Sequence, residues 1–230
     1  MAENRPYPDE IRQKFIITAR YGKPGFPSGM GAALVICRVS CISFDGVAWT
    51  NIFIHRNTHD KHAETLVIEK LEEMGRNAKE INIELIQNYS PCNNYERDVN
   101  NVLYGCATDI VDYKNKMEKQ GKTIDIKITF ANFYKVVKCG GSSQKNIEGL
   151  RLLQNNGVEL RLLQGEQEWR KFLEDDNLVN LPDDNRKTLS VLLEMATSSE
   201  RKAREEEDRE ILYKQILLPS SKSRDAGVVS

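Results

Sequence analysis

Lys61-His62-Ala63-Glu64, followed by Tyr89-Ser90-Pro91-Cys92 and then by Gly105-Cys106-Ala107, decides how this chain is read. His62 and Glu64 stand two residues apart at the start of a helical pattern through Leu66, Val67, Leu71 and Met74. An imidazole and a carboxylate can therefore enter one pocket from one helix N-terminus. The run Ile81-Asn82-Ile83-Glu84-Leu85-Ile86 reads as a strand, and Cys92 lies just past it. One imidazole and two thiolates can hold a tetrahedral zinc ion with its fourth position open to water, the donor count of a catalytic rather than a structural site. Glu64, outside the ligand set, is then free to move protons. Taken singly, His-x-Glu arises often by chance, and a cysteine on a strand is usually a small buried hydrophobe. The order of these pieces, the Ser-Pro-Cys context and the helical pattern after Cys106 carry the reading.

His-x-Glu followed by Pro-Cys-x-x-Cys is the signature of zinc nucleobase deaminases. With an aromatic before Ser90-Pro91-Cys92, the sequence resembles the AID/APOBEC family of polynucleotide cytidine deaminases. The departure is that Asn93, Asn94, Tyr95 and Glu96 bring no second cysteine; the next is Cys106. From there Cys106-Ala107-Thr108-Asp109-Ile110-Val111 resembles the family's helix after the second thiolate. Residues 93–105 are accordingly read as a loop inserted between the ligands, with a short helix over the pocket as one form for it. Lengthening a loop costs only about 0.6 kcal/mol per doubling, so the site tolerates this. Should Cys106 not be the third ligand, His59 is the first candidate in its place.

The chain has 230 residues, a length that supports one well-buried domain with an extension. Its formal net charge of −1 argues against the strongly basic surface of proteins held on duplex DNA by phosphate contacts. The five cysteines and the absence of an apolar core in Met1-Ala2-Glu3-Asn4-Arg5-Pro6 are expected of reduced thiols in an intracellular protein, nuclear or cytoplasmic, with two thiols recruited to metal. No apolar run approaches the length that spans a bilayer, so no membrane partner is expected.

Along the chain, Ile11, Phe15, Ile16 and Ala19 predict a first helix, and glycines and prolines then break residues 20–31 into a loop carrying Arg20 and Tyr21. Runs 33–39 and 48–54 around Phe44-Asp45-Gly46 predict a hairpin, with Cys37 and Cys41 as strand or core residues. All three histidines lie within residues 55–62. His62 is preferred as ligand because it alone stands two residues before a glutamate; His55 is placed on the strand end and His59 on the loop rim. A helix from Cys106 stops near Lys119-Gln120-Gly121, and an alternating strand follows over 124–130. Residues 138–145 read as a flexible loop in which Cys139 has no partner in view, and 146–158 as a helix, a glycine stop and a strand entry. Gln167 to Leu173 forms another short helix. A long helical pattern from Asp183 ends in the mixed charges of 199–210, read as a solvated, salt-bridged helix, and 219–230 as a disordered tail. The expected organisation is one domain over 1–218: an N-terminal helix and loop (1–33), a catalytic core (34–175) and a C-terminal helix (183–218).

Helices alternating with strands after an opening hairpin give an α/β fold with a mixed sheet covered on both faces. The resemblance implies the cytidine-deaminase-like form of it, five strands flanked by about six helices, with zinc at the starts of two adjacent helices. It implies hydrolytic deamination of cytosine to uracil in single-stranded DNA, with Zn2+ held by His62, Cys92 and Cys106 and with Glu64 as proton shuttle. It further implies a substrate-binding set of Asn57, Ala63, Tyr89, Ser90, Tyr134, Arg20 and Tyr21. Asn57 follows Arg56 five residues before His62, as in deaminases of the activation-induced kind; Tyr89 and Tyr134 would pack on the base or its neighbour. Residues 133–145 are expected to read the base on the 5′ side. Ala131-Asn132-Phe133-Tyr134 departs from the family's Ala-Arg-Leu-Tyr by lacking the arginine. RNA as substrate, a free nucleoside, and a nucleic-acid-binding relative without turnover remain alternatives, and no protein partner is identified.

Overall fold

The structure is a computed structural model and describes residues 33–58, 60–93, 95–96, 103–134, 141–173, 193–194 and 197–217. The first helix, the loop with Arg20 and Tyr21, His59, Cys139 and the terminal tail lie outside the described residues, as does most of 183–196. The described strands are β1 (Leu34–Ser43), β2 (Ala48–Arg56), β3 (Ala78–Tyr89), β4 (Tyr95–Glu96), β5 (Leu103–Tyr104), β6 (Thr123–Asn132) and β7 (Glu159–Leu162). The fold is α/β, with a five-stranded mixed sheet in the order β2-β1-β3-β6-β7 and β4 paired with β5 apart from it. Strands β1 and β2 form the expected hairpin, paired Leu34 to Arg56 and Ile42 to Ala48. Gly46 turns it at φ 86°, a left-handed conformation that glycine adopts without steric cost. Strand β3 runs antiparallel to β1 and parallel to β6, and β6 runs parallel to the short β7.

Alternation sorts the side chains. Val35, Cys37, Val39, Ile83, Leu85 and Ile128 face one way, into the main core under helices α1 (Ala63–Met74), α2 (Cys106–Lys119) and α3 (Gly141–Asn155). Leu34, Ile36, Ile86 and Ala131 face the other way, onto Trp169, Phe172 and Leu173 of α4 (Gly165–Leu173). Period-two alternation through strands buried on both faces is what places one helix layer on each side. Among the described residues there are five α-helices, the last being α5 (Ser199–Ile211), which continues into a π-helical segment at Leu212–Leu217.

The structure departs from the sequence reading in three places. Helix α3 begins at Gly141, inside the stretch read as a loop, because burial of Asn146, Ile147 and Leu150 outweighs the weak helix propensity of its first residues. In the insertion, read as a loop, Tyr95–Glu96 pairs antiparallel with Leu103–Tyr104 as a two-pair stem, and the short helix expected over the pocket falls on residues outside the described ones. Helix α5 is not a solvated helix: Arg201, Arg204 and Asp208 are at most 1% exposed. The Arg201 guanidinium donates to the Ala131 carbonyl at 2.6 Å, to the Asn132 side-chain oxygen and to Glu205, and it lies over the Trp169 ring. Glu205 also accepts from the Trp169 indole and the Gly165 amide, both at 2.9 Å. Buried charges persist where such partners meet them.

Candidate metal centre

The strands deliver the site to one edge of the sheet. Strands β2, β3 and β6 all end there, with Asn57 and Ser90 just past the first two and Tyr134 two residues past β6. In open α/β sheets that edge, outside the carboxyl ends of the strands, is where ligands bind. Helices α1 and α2 start above it, with His62 at the N-cap of α1 and Cys106 as the first residue of α2. Thr65 of α1 donates to Asp109 of α2 at 3.3 Å, and Lys116 pairs with Glu72 at 2.7 Å, which holds the two helices side by side.

His62, Cys92 and Cys106 come together. Nδ1 of His62 stands 3.1 Å from the Cys106 sulfur and 3.3 Å from the Cys92 sulfur, and the two sulfurs are 3.5 Å apart. A tetrahedral ion with Zn–S near 2.3 Å and Zn–N near 2.0 Å requires separations of about 3.5–3.8 Å. The triangle has that size, slightly contracted, so these three residues can hold a metal ion. The Cys92 carbonyl accepts the Ala107 amide at 3.1 Å, which ties the first thiolate to the helix that carries the second. The Cys92 thiol is pushed down to about 4 by its hydrogen bond with Cys106, against its own burial, with help from His62. Cys106 is pushed up by its bond to Cys92 and by burial, and His62 is raised by its bond to Cys92. Thiols give up their protons when they bind a divalent cation, so a cation would stabilise both sulfurs in this contact.

Glu64, in the first turn of α1, is 3% exposed. Burial pushes its carboxyl up to about 7, and among the described residues its Oε2 has no hydrogen-bond partner. A carboxyl held near neutrality beside a metal triangle has the properties of a general acid and base.

The other expected site residues divide. The Asn57 side-chain oxygen accepts the Ala63 amide at 2.8 Å. This fixes the start of α1 and gives the Ala63 amide an intramolecular partner, so Ala63 acts through Asn57. Asn57 is half-buried at the strand end, and an amide whose oxygen is engaged still carries an NH2 donor. Ser90 is buried; its hydroxyl accepts the Tyr134 amide at 2.9 Å and its amide donates to the Asn132 carbonyl at 2.8 Å, so it braces Tyr134. Tyr89 is 5% exposed and packs edge-on against the half-buried Tyr134, ring centroids 6.3 Å apart. Tyr134 is thus the accessible aromatic of the pair. His55 sits near the end of β2 with its ring edge-on to Phe53, and Cys37 and Cys41 are buried core residues of β1. Sequence reasoning missed Asn146, which is fully buried and donates to the Tyr134 carbonyl while accepting the Asn93 amide, at 2.9 and 3.0 Å. An asparagine amid the apolar positions of a helix is the signal that would have found it.

No protein-family model and no curated protein matches the chain. None of the described helices is long and apolar enough to cross a membrane.

Proposed function

We propose that the chain is a zinc-dependent cytidine deaminase of the AID/APOBEC-like kind, with the cytidine-deaminase-like fold, acting on cytosine in single-stranded DNA. The observation that carries this is the triangle of His62, Cys92 and Cys106 with the buried carboxyl of Glu64 beside it. The five-stranded mixed sheet and the location of the triangle at two adjacent helix starts support the same reading.

A zinc ion bound by these residues supplies a water activated near neutral pH. With zinc held there, Glu64 would carry the two protons that the water gives up, one to N3 of the ring and one to the departing amine, while the water's oxygen bonds to C4 and the C4–N bond breaks. A pKa near neutrality suits both directions of transfer. Burial of Glu64 keeps bulk water from competing for those protons. Asn57 orients the target nucleotide through its NH2 group, and Tyr134 stacks on the base or its neighbour, worth about 1–3 kcal/mol per base. A base within a duplex cannot reach such a pocket, so the substrate is unpaired or flipped out.

The test is a uracil-excision cleavage assay on single-stranded DNA oligonucleotides, with matched RNA and free cytidine alongside and metal analysis of the same protein. Uracil in DNA is the expected product. Conversion of RNA or of cytidine alone would reassign the substrate class, and zinc-loaded protein inert on all three would remove the enzymatic reading. Cys92→Ala and Cys106→Ala are expected to lose zinc and activity, whereas Cys139→Ala keeps both.

A further inference from the structure

Cys92 and Cys106 are fourteen positions apart, yet their sulfurs are 3.5 Å apart. What replaces short spacing is a pinch between Asn93 and Gly105. A Cβ built on Gly105 would stand 2.5 Å from the Asn93 Cα and 2.8 Å from the Cys92 carbonyl oxygen, a place only glycine can take. The two Cα atoms are therefore no more than about 4 Å apart, close to the 3.8 Å between neighbours across one trans peptide bond. The chain leaves the ligand loop at Asn93 and comes back to the same point at Gly105.

Asn93 holds the pinch shut. Its amide N–H donates to Asn146 at 3.0 Å, its NH2 group donates to the Lys145 carbonyl at 3.1 Å, and its side-chain oxygen accepts the Thr108 hydroxyl at 3.3 Å. Its side chain lies over Gly149, where an added Cβ would meet it at 2.6 Å and would come within 3.1 Å of the Ala107 Cβ. Elements on both sides of Asn93, α2 and α3, thus converge on one short side chain between the thiolates.

We infer that the metal cage is complete without residues 94–104. Joining Asn93 directly to Gly105 regenerates Cys-Asn-Gly-Cys with the ligands in their present places, and Asn93 is the positioning residue that sets their separation. This rests on the reading of His62, Cys92 and Cys106 as metal ligands, and it does not depend on what reaction the site performs.

The experiment uses the full chain in four forms: the parent, the splice lacking 94–104, a variant with those eleven residues replaced by a Gly-Ser loop of equal length, and Asn93→Ala. Zinc affinity is measured by competition with a chromophoric chelator, and geometry by the thiolate-to-metal absorption of the cobalt-substituted protein. The splice and the Gly-Ser variant are expected to bind zinc within about threefold of the parent with the same cobalt spectrum. Asn93→Ala is expected to bind about 10–100-fold more weakly with an altered spectrum, the range found when groups supporting metal ligands are removed. A tenfold or greater loss in the Gly-Ser variant, or unchanged affinity and spectrum in Asn93→Ala, overturns the inference. Should the splice alone fail to fold, the Gly-Ser variant answers the same question. If the parent itself takes no zinc, the metal reading falls and this inference falls with it, whereas a parent that binds and a loop variant that does not would sink the inference alone.

Discussion

Helices α1 and α5 are written in much the same alphabet and end in opposite surroundings. In α1, Glu69, Lys70, Glu72 and Glu73 lie along an exposed or half-exposed face and pair across it, Lys70 with Glu73 at 2.8 Å. In α5, the charges Arg201, Arg204, Glu205 and Asp208 are the buried face. The one fully enclosed charge of α1 is Glu64. Like Asp208 of α5 it has one oxygen with no hydrogen-bond partner among the described residues, but Asp208 meets the Arg204 guanidinium at 2.9 Å, whereas Glu64 lies beside the thiols of Cys92 and Cys106. A charged side chain can thus be wet, buried against a guanidinium, or buried against thiols, and the third setting pushes a carboxyl towards neutrality.

The largest expected effect sharpens that contrast. Glu64→Ala should lower deamination by about 10⁴-fold, the upper end for general acid–base groups, because one carboxyl makes both proton transfers. It should leave zinc content intact and thermal stability equal or higher, since an enclosed carboxyl is removed. Oligonucleotide kinetics, metal analysis and a melting curve check this together, and loss of zinc would show that Glu64 belongs to the ligand set.

Arg201→Ala is the counterpart in α5. It takes the buried cation from Glu205 and removes the donors on the Ala131 carbonyl and Asn132, so destabilisation of about 3–5 kcal/mol is expected in urea unfolding. An effect below about 1 kcal/mol would mean that the buried network is replaceable packing.

Asn57→Ala should cost on the order of a hundredfold in rate on single-stranded DNA while zinc is retained, because a small error in nucleotide placement is enough for that loss. The side chain also caps the start of α1, so a stability loss of about 1 kcal/mol is expected beside it. Unchanged deamination would leave Asn57 with the capping role alone.

The smallest effect is a slope. Burial pushes Asp208 up to about 6, above the ordinary carboxylate value. Between about pH 4 and 6 the folded state therefore holds a proton that the unfolded chain has lost, and this group's contribution to stability falls as pH rises through that window. Asp208→Asn removes the term. The stability of the variant relative to the parent should rise from pH 4 to 6, by no more than about 1.4 kcal/mol per pH unit. A difference independent of pH would show that Asp208 titrates normally.

The α1 region was legible in the sequence because its information is local: a two-residue spacing, a helical period and a strand run name His62, Glu64 and the approach to Cys92. The hairpin turn at Gly46 was legible for the same reason. The insertion was recognised as a detour, but its form was not, since a hairpin stem of two pairs has too few residues for a period to show. The burial of α5 was hidden because its cause lies far away in sequence. Arg201 meets Ala131 seventy positions earlier and Glu205 meets Trp169 thirty-six earlier, and no pattern within 199–210 encodes those partners.

That long reach sets an order for synthesis. Ribosomal translation makes α5 after every described strand and every other described α-helix, so the strand end carrying Ala131 and the indole of Trp169 emerge well before the arginine and glutamate that will cover them. The thiolate pair is in hand once Cys106 has left the exit tunnel, but Ala131 and Trp169 stay without this cover until residues 199–211 follow. A nascent chain arrested before Ser199 would hold its metal ligands and lack its last wall, and that wall is where a co-translational protease or chaperone would find it.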